Sequence, residues 1–414
     1  MITSTTARTT VAKRLVFHVG GYDPITPHAA AQRRFVRELQ RFGLTWSVKA
    51  SVHTLKDGVD ETKWNVTAIG PNWQVEADYH LIRWDDEIGN ISRRAIWRRI
   101  PHGMIAFLDF AAAGALWGYF RTNWYYAGFF LYPFVMFGAL VAAAFLFGVI
   151  TFDIGGSLLI GVVAGLLALT ALLAGPWRWL HIDTLFDDWI FSREYIRSGN
   201  STIDKKLERF AAEIVAAARS SNADELLVVG HSLGAVIAVD LLDRALRLDP
   251  ALGVGGIPVT FLTIGSSILK IGLHRGARRF RAAVERVGRA PGIFWGDYQA
   301  RVDIMNFYKT NPMAEMSLPA ENGPVIRLVE LGRTLEHAMY RRIRLNFYRL
   351  HCQFISGNDR RAVYDYFMLV CGPVSAKSQT LAPDGALSMI GEDGRLIGVP
   401  ICNDAPAELA PSPR

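Results

Sequence analysis

The stretch LLVVGHSLGAVIAVDLLDRAL, Leu226 to Leu246, decides the fold. An apolar run ending at Val229 reads as a strand buried on both faces, and the residues after Ser232 repeat their apolar positions at helical spacing. Between them, Gly230-His231-Ser232-Leu233-Gly234 places a serine between two glycines at a strand-to-helix turn. Such a turn raises a hydroxyl above a sheet edge, and glycines suit the close passage of backbone there.

Working outward, the α/β pattern continues on both sides. Ile203, Leu207, Phe210, Ala211, Ile214, Val215 and Ala218 mark a helix with one buried face before the strand. VTFLTIG (Val259 to Gly265) and VIRLVEL (Val325 to Leu331) read as later strands. Near the N-terminus, RLVFHVGG (Arg14 to Gly21) is β-rich, and a helix follows with Thr26 as cap, Pro27 in its first turn and Gly43 after its end. TWSVKASVHT, KWNVTAIG and VEADYHLIRW then read as a hairpin or meander. Strands alternating with helices predict a mostly parallel sheet with flanking helices.

This pattern is interrupted between Tyr125 and Trp177 by two apolar runs joined around one charge, Asp153. Each reaches the length of about 20 residues that a bilayer core requires, so they read as a transmembrane hairpin. Arg93 to Arg99 on one flank and Arg178 on the other predict that both outer ends are cytoplasmic, with Trp177 and Trp179 as interfacial anchors. A third stretch, Met104 to Phe120, is shorter and carries Asp109, and it reads as an interfacial or re-entrant helix. If the strands at Val16 and Val228 share one sheet, the number of crossings must be even. The expected organisation is residues 1–100 and 181–400 as two parts of one α/β domain, 101–180 as the membrane insertion, and 401–414 as a Pro- and Ala-rich disordered tail.

Composition agrees with a membrane-associated chain. Half of the 414 residues are hydrophobic, and the net charge is +7. That charge suits an anionic lipid surface or nucleic acid, but no nucleic-acid recognition motif accompanies it. The N-terminus lacks the apolar run of a cleavable signal peptide. Cys352, Cys371 and Cys402 have no metal-ligand spacing, and their odd number fits a reducing compartment. No cofactor or metal is expected. Leu273 to Arg289 places Leu273, Ala277, Phe280, Val284 and Val287 on one face and arginines on the others, which fits either a helix on anionic lipid or an ordinary solvated helix.

The GHSLGA turn resembles the nucleophile elbow of the α/β-hydrolases, and among them of lipase-like enzymes. The resemblance implies the order serine, acid, histidine along the chain. Asp303, in a D-I-M turn, and Asp297 are the candidate acids, with Asp303 favoured. His351 is favoured over His337 as the base, because the family places its base in a loop after the last strand, here before an aromatic helix RRAVYDYF. His231 reads as a support residue. The implied oxyanion hole is the backbone N–H of Leu233 with that of Gly21 or Tyr22, although HVGG replaces the family's HGGG. The resemblance therefore implies a serine hydrolase cleaving an ester; the hairpin favours a lipid or acyl substrate, and with its flanking charges it predicts a bilayer of the bacterial inner-membrane type with the hydrolase domain on the cytoplasmic side. The competing expectation is a catalytically silent module of the same fold that binds lipid or a membrane partner.

Overall fold

The computed structural model describes residues 10–22, 28–58, 60–84, 86–320 and 323–398. Thr26, Pro27, Cys402 and the tail 401–414 lie outside them. The strands are β1 (Lys13–Val19), β2 (Lys49–Asp57), β3 (Glu61–Gly70), β4 (Trp73–Ile82), β5 (Glu225–His231), β6 (Val259–Ile264), β7 (Ile293–Gln299) and β8 (Val325–Leu328). They form one eight-stranded sheet in the order β2-β3-β4-β1-β5-β6-β7-β8. From β4 to β8 every pairing is parallel, and β2-β3-β4 is an antiparallel meander at one edge.

The central strands are apolar on both faces because both faces are covered. Leu15, Phe17 and Val19 of β1 join Leu226 and Val228 of β5 in one core. Val16, Leu227 and Val229 point into the other. The first core packs under the helix Gly234–Leu248, and the second is filled by Phe35, Trp64, Tyr79 and Tyr366.

At the sheet's centre, Phe17 of β1 is paired with Val228 of β5. Residues before and after the apolar hairpin therefore share one sheet, and the chain must leave and return on the same side of any membrane it crosses. Two helices, Trp124–Gly155 and Leu158–Trp179, are long and apolar enough to cross one. They meet through small residues: a Cβ on Gly148 would stand 2.8 Å from the Gly161 carbonyl, and one on Gly161 2.8 Å from that of Gly148.

The first helix has 32 residues and is about 48 Å long, well beyond the ~30 Å of a hydrocarbon core. Its first turns are accordingly part of the protein core, with Tyr126, Ala127 and Phe130 at most 1% exposed. Beyond them Val135, Val141, Phe145 and Ile150 are exposed. Trp177 is also a core residue, wedged against Phe137 and Phe186, so only Trp179 keeps the exposed position expected of an interfacial anchor.

Met104 to Phe120 falls on two helices, Ile96–Ala112 and Ala115–Thr122, bent by 67° at a break. The break is at Gly114, whose φ of +80° suits a residue without Cβ. Both arms lie on the α/β unit. Asp109 accepts from Arg197, the Tyr119 hydroxyl donates to the Lys270 carbonyl at 2.7 Å, and Phe110 and Ala115 are fully buried. The Arg197 and Arg193 guanidiniums hold the Asp109 carboxyl below its usual range.

Several local expectations need correction. Gly43 lies inside the helix His28–Trp46 and does not end it; the Val48 carbonyl passes 2.8 Å from where its Cβ would be, which is why a residue without Cβ stands there. RRAVYDYF is irregular up to Asp365, whose carboxylate accepts from the Met368 N–H and starts the helix Tyr366–Cys371. Leu273 precedes the basic helix, which runs Arg278–Arg289 and packs Phe280, Val284 and Val287 inward. Three of its five arginines are matched by carboxylates, Arg279 with Asp204, Arg286 with Asp243 and Arg289 with Glu285, and Arg281 donates to the Met316 carbonyl. Of the two alternatives this favours the solvated helix, with Arg278 alone exposed and in no ion pair among the described residues.

Candidate active site

Ser232 follows the last residue of β5 with φ +55°, in the left-handed region that costs a non-glycine residue about 1–2 kcal/mol. Three hydrogen bonds hold it there. Its N–H donates to the Ile264 carbonyl at 3.0 Å, and its own carbonyl accepts from Ala235 at 3.1 Å and Ser267 at 3.2 Å. The flanking glycines have separate reasons. A Cβ on Gly230 would lie 2.5 Å from Cα of Ala235, and one on Gly234 would lie 2.2 Å from the Val19 carbonyl oxygen. Gly234→Ala should therefore push the β1 loop away from the turn, and a clear fall in the unfolding midpoint would report it.

Asp303 sits in the loop after β7, and His351 in the short helix Phe347–Cys352, not in a loop as expected. Asn346 caps that helix by accepting from the Arg349 N–H at 2.9 Å. The His351 Nδ1–H donates to Asp303 Oδ2 at 2.6 Å, and both residues are 2% exposed. The other Asp303 oxygen accepts from the Met305 N–H at 2.9 Å. On the far side of the ring, His351 Nε2 is buried without a hydrogen-bond partner among the described residues. Ser232 and His351 line the same cavity of about 1250 Å³.

The other sequence candidates are placed elsewhere. Asp297 lies within β7 and accepts from Thr263 Oγ1 at 2.6 Å and Gln299 Nε2 at 2.7 Å. Burial raises its pKa to about 6. The folded state thus binds this proton more tightly than the unfolded chain, a contribution that is favourable at low pH and lost as pH rises through about 6. Asp297→Asn should flatten the stability profile between about pH 4 and 6, as thermal unfolding at a series of pH values will read. His337 is exposed at the start of the helix His337–Ile343. His231 is buried with its ring 4.7 Å from that of His351, and burial pushes its pKa well below the ordinary value, so it packs there uncharged.

Gly20, Gly21, Tyr22 and Leu233 line the same cavity. The Trp84 indole N–H donates to the Gly20 carbonyl at 2.8 Å, which fixes the plane of the peptide carrying the Gly21 N–H. A Cβ on Gly21 would stand 2.8 Å from Ser232 Cβ, so the loop approaches the serine as closely as backbone can. Behind it, His18 Nδ1 is bonded to the Tyr366 hydroxyl at 2.9 Å, and that to the Tyr79 hydroxyl at 2.6 Å. Burial lowers the His18 pKa to about 3.

Three positioning residues escaped sequence reading. Trp84 ends an ordinary apolar pattern. Asn306, fully buried, folds the loop that carries Asp303 by donating to the carbonyls of Ala300 at 2.9 Å and Asp303 at 2.6 Å. Gly265, with φ +54°, leaves room for His351, whose Cε1 would lie 3.1 Å from a Cβ there. Only the glycine at the end of a strand carries a readable signal.

No metal cluster is expected from sequence, yet Glu61, His80 and Glu213 converge closely enough to hold an ion. The Lys63 ammonium lies 2.8 Å from Glu61 and 3.6 Å from Glu213 and already supplies positive charge there. Cys352 and Cys371 are buried and not joined in a disulfide. In comparison with known proteins, no protein-family model, no curated protein and no solved structure matches this chain.

Proposed function

We propose that the protein is a membrane-anchored serine hydrolase of the α/β-hydrolase kind that cleaves an ester of a lipid or other acyl compound. The observation that carries this reading is the His351–Asp303 hydrogen bond, with the opposite ring nitrogen unpartnered among the described residues and His351 and Ser232 lining one cavity. A buried imidazole oriented by a carboxylate, with its other nitrogen left to take a proton, is what an activated serine requires.

In this reading His351 Nε2 takes the Ser232 hydroxyl proton as Oγ attacks the ester carbonyl. Asp303 fixes the tautomer with hydrogen on Nδ1 and stabilises the imidazolium that forms. The N–H groups of Leu233 and of Gly21 or Tyr22 receive the oxyanion. The tetrahedral intermediate collapses with return of the proton from His351 to the leaving alkoxide, giving an alcohol and an acyl-serine. Water, deprotonated by the same imidazole, then releases the carboxylic acid and restores the serine. None of these steps calls for a cofactor. Hydrolysis of short acyl esters by wild type and Ser232→Ala tests the assignment, and an unchanged rate in the variant removes it.

The α/β domain is proposed to face the cytoplasm. Of the flanking arginines, Arg94 and Arg99 are engaged by Glu194 and Asp187, while Arg178 is exposed, so the positive-inside argument rests on Arg93, Arg98 and Arg178. In a variant lacking Cys352, Cys371 and Cys402, a cysteine at Asp153 should react with an impermeant thiol reagent applied outside intact cells. Cysteines at Ser51 and Ser201 should not, and the reverse pattern inverts the orientation.

A further inference from the structure

The cavity that holds Ser232 and His351 is walled on one side by the root of the apolar hairpin. Tyr125, Tyr126, Phe129 and Tyr132 of the first helix and Trp179 and Leu180 at the end of the second line it. Tyr125 and Trp179 are 45% and 80% exposed, so this wall runs without interruption into the surface that would meet lipid.

The facing wall has a different character. Arg342, Leu345, Phe347 and Arg349 line the cavity from the segment that leads into His351. Residues 337–358 contain no Asp or Glu, and Arg341, Arg342, Arg344 and Arg349 are all exposed. Among the described residues none of the four forms an ion pair, whereas three of the five arginines of the helix Arg278–Arg289 do. Between them Leu345 and Phe347 are 78% and 48% exposed. Unpaired arginines interleaved with exposed apolar side chains are the composition of a surface that seats on anionic head groups and inserts apolar tips below them.

We infer that residues 339–349 form a lip that docks on anionic lipid beside the hairpin, so that the cavity mouth between lip and hairpin root opens into the bilayer and receives an acyl chain of a phosphate-bearing membrane lipid. The volume of about 1250 Å³ exceeds the roughly 300–1000 Å³ usual for a small-ligand pocket, which suits a long acyl chain. That the same lipid is the ester cleaved rests on the proposed hydrolase reading; the docking itself does not.

The test uses full-length Ser232→Ala protein in lipid nanodiscs, so that no turnover is needed. The probe is a phosphatidylglycerol with a photoreactive group near the end of one acyl chain, compared with the matching phosphatidylcholine. After illumination, peptides containing Tyr125–Tyr132 and 342–349 should carry adducts, with at least about threefold more from the anionic probe. Arg341→Gln, Arg342→Gln, Arg344→Gln and Arg349→Gln together should bring the anionic probe down to the level of the neutral one. Leu345→Glu, a single exposed substitution, should remove adducts from the lip. Adducts confined to the outer faces of the two apolar helices, or equal yields from the two lipids in the protein with its arginines intact, overturn the inference. Labelling of Ser232 by a phosphonate probe in the active protein reports the hydrolase reading separately.

Discussion

His351→Ala is expected to lower ester hydrolysis by at least ~10³-fold, whereas His337→Ala leaves it within about twofold. The contrast follows from placement. His351 donates to Asp303, leaves its Nε2 without a partner among the described residues and lines the same cavity as Ser232, while His337 is exposed on another helix. The acid should separate in the same way. Asp303→Asn leaves shape nearly unchanged but turns the partner of Nδ1 from an acceptor into a group that can present a donor, so the imidazole tautomer is no longer held. A loss on the order of 10³–10⁴ in kcat is expected for Asp303→Asn, and little change for Asp297→Asn, whose carboxylate is bonded to Thr263 and Gln299. Steady-state kinetics on a short acyl ester, with unfolding midpoints measured alongside, check all four variants. A large loss in Asp297→Asn with none in Asp303→Asn would reverse the assignment of the acid.

The largest expected effect on stability is at the other end of the strands. Arg14 of β1 and Glu225 of β5 form an ion pair at 3.0 Å, with side chains 0% and 1% exposed. Glu225 also accepts from Thr260 at 2.9 Å and the Ala376 N–H at 3.1 Å, and Arg14 donates to the carbonyls of Gly372 and Val374. The pair thus ties β1, β5 and β6 to the C-terminal part of the described chain. Glu225→Ala leaves a guanidinium buried and uncompensated, at a cost of about 3–5 kcal/mol. For a unit of this size the unfolding midpoint should fall by roughly 3–8 °C, and by less in Glu225→Gln. An unchanged midpoint in Glu225→Ala would mean that water reaches Arg14.

What could be read from sequence follows the physics of each element. β1, β5 and β6 are covered on both faces, so each has an apolar centre: Leu15, Val16 and Phe17 in β1, Leu226 to Val229 in β5, and Phe261 and Leu262 in β6. β7 is equally central but was not legible: Gly296, Asp297 and Gln299 interrupt its pattern, and their polar groups are satisfied only by Thr263 and Thr310 across the fold. The hairpin was legible from apolar length, but not the burial of its first turns, because apolar side chains packed on protein and on lipid look alike in composition. Ser232 was legible from local geometry, since the glycines beside it answer to contacts within the turn and the adjacent β1 loop. The proximity of Asp303 and His351 was not a local property. Their placement depends on Asn306 folding one loop and Asn346 capping a short helix, and neither residue stands out in the sequence.

The account turns on Ser232 being an activated nucleophile, and covalent labelling with a fluorophosphonate probe, followed by peptide mass mapping, tests this most directly. The full-length protein in its membrane should acquire one phosphonyl group on the peptide containing Ser232. Ser232→Ala and His351→Ala should acquire none. No adduct on the folded wild-type protein, or an adduct that persists on another residue in Ser232→Ala, would contradict the account.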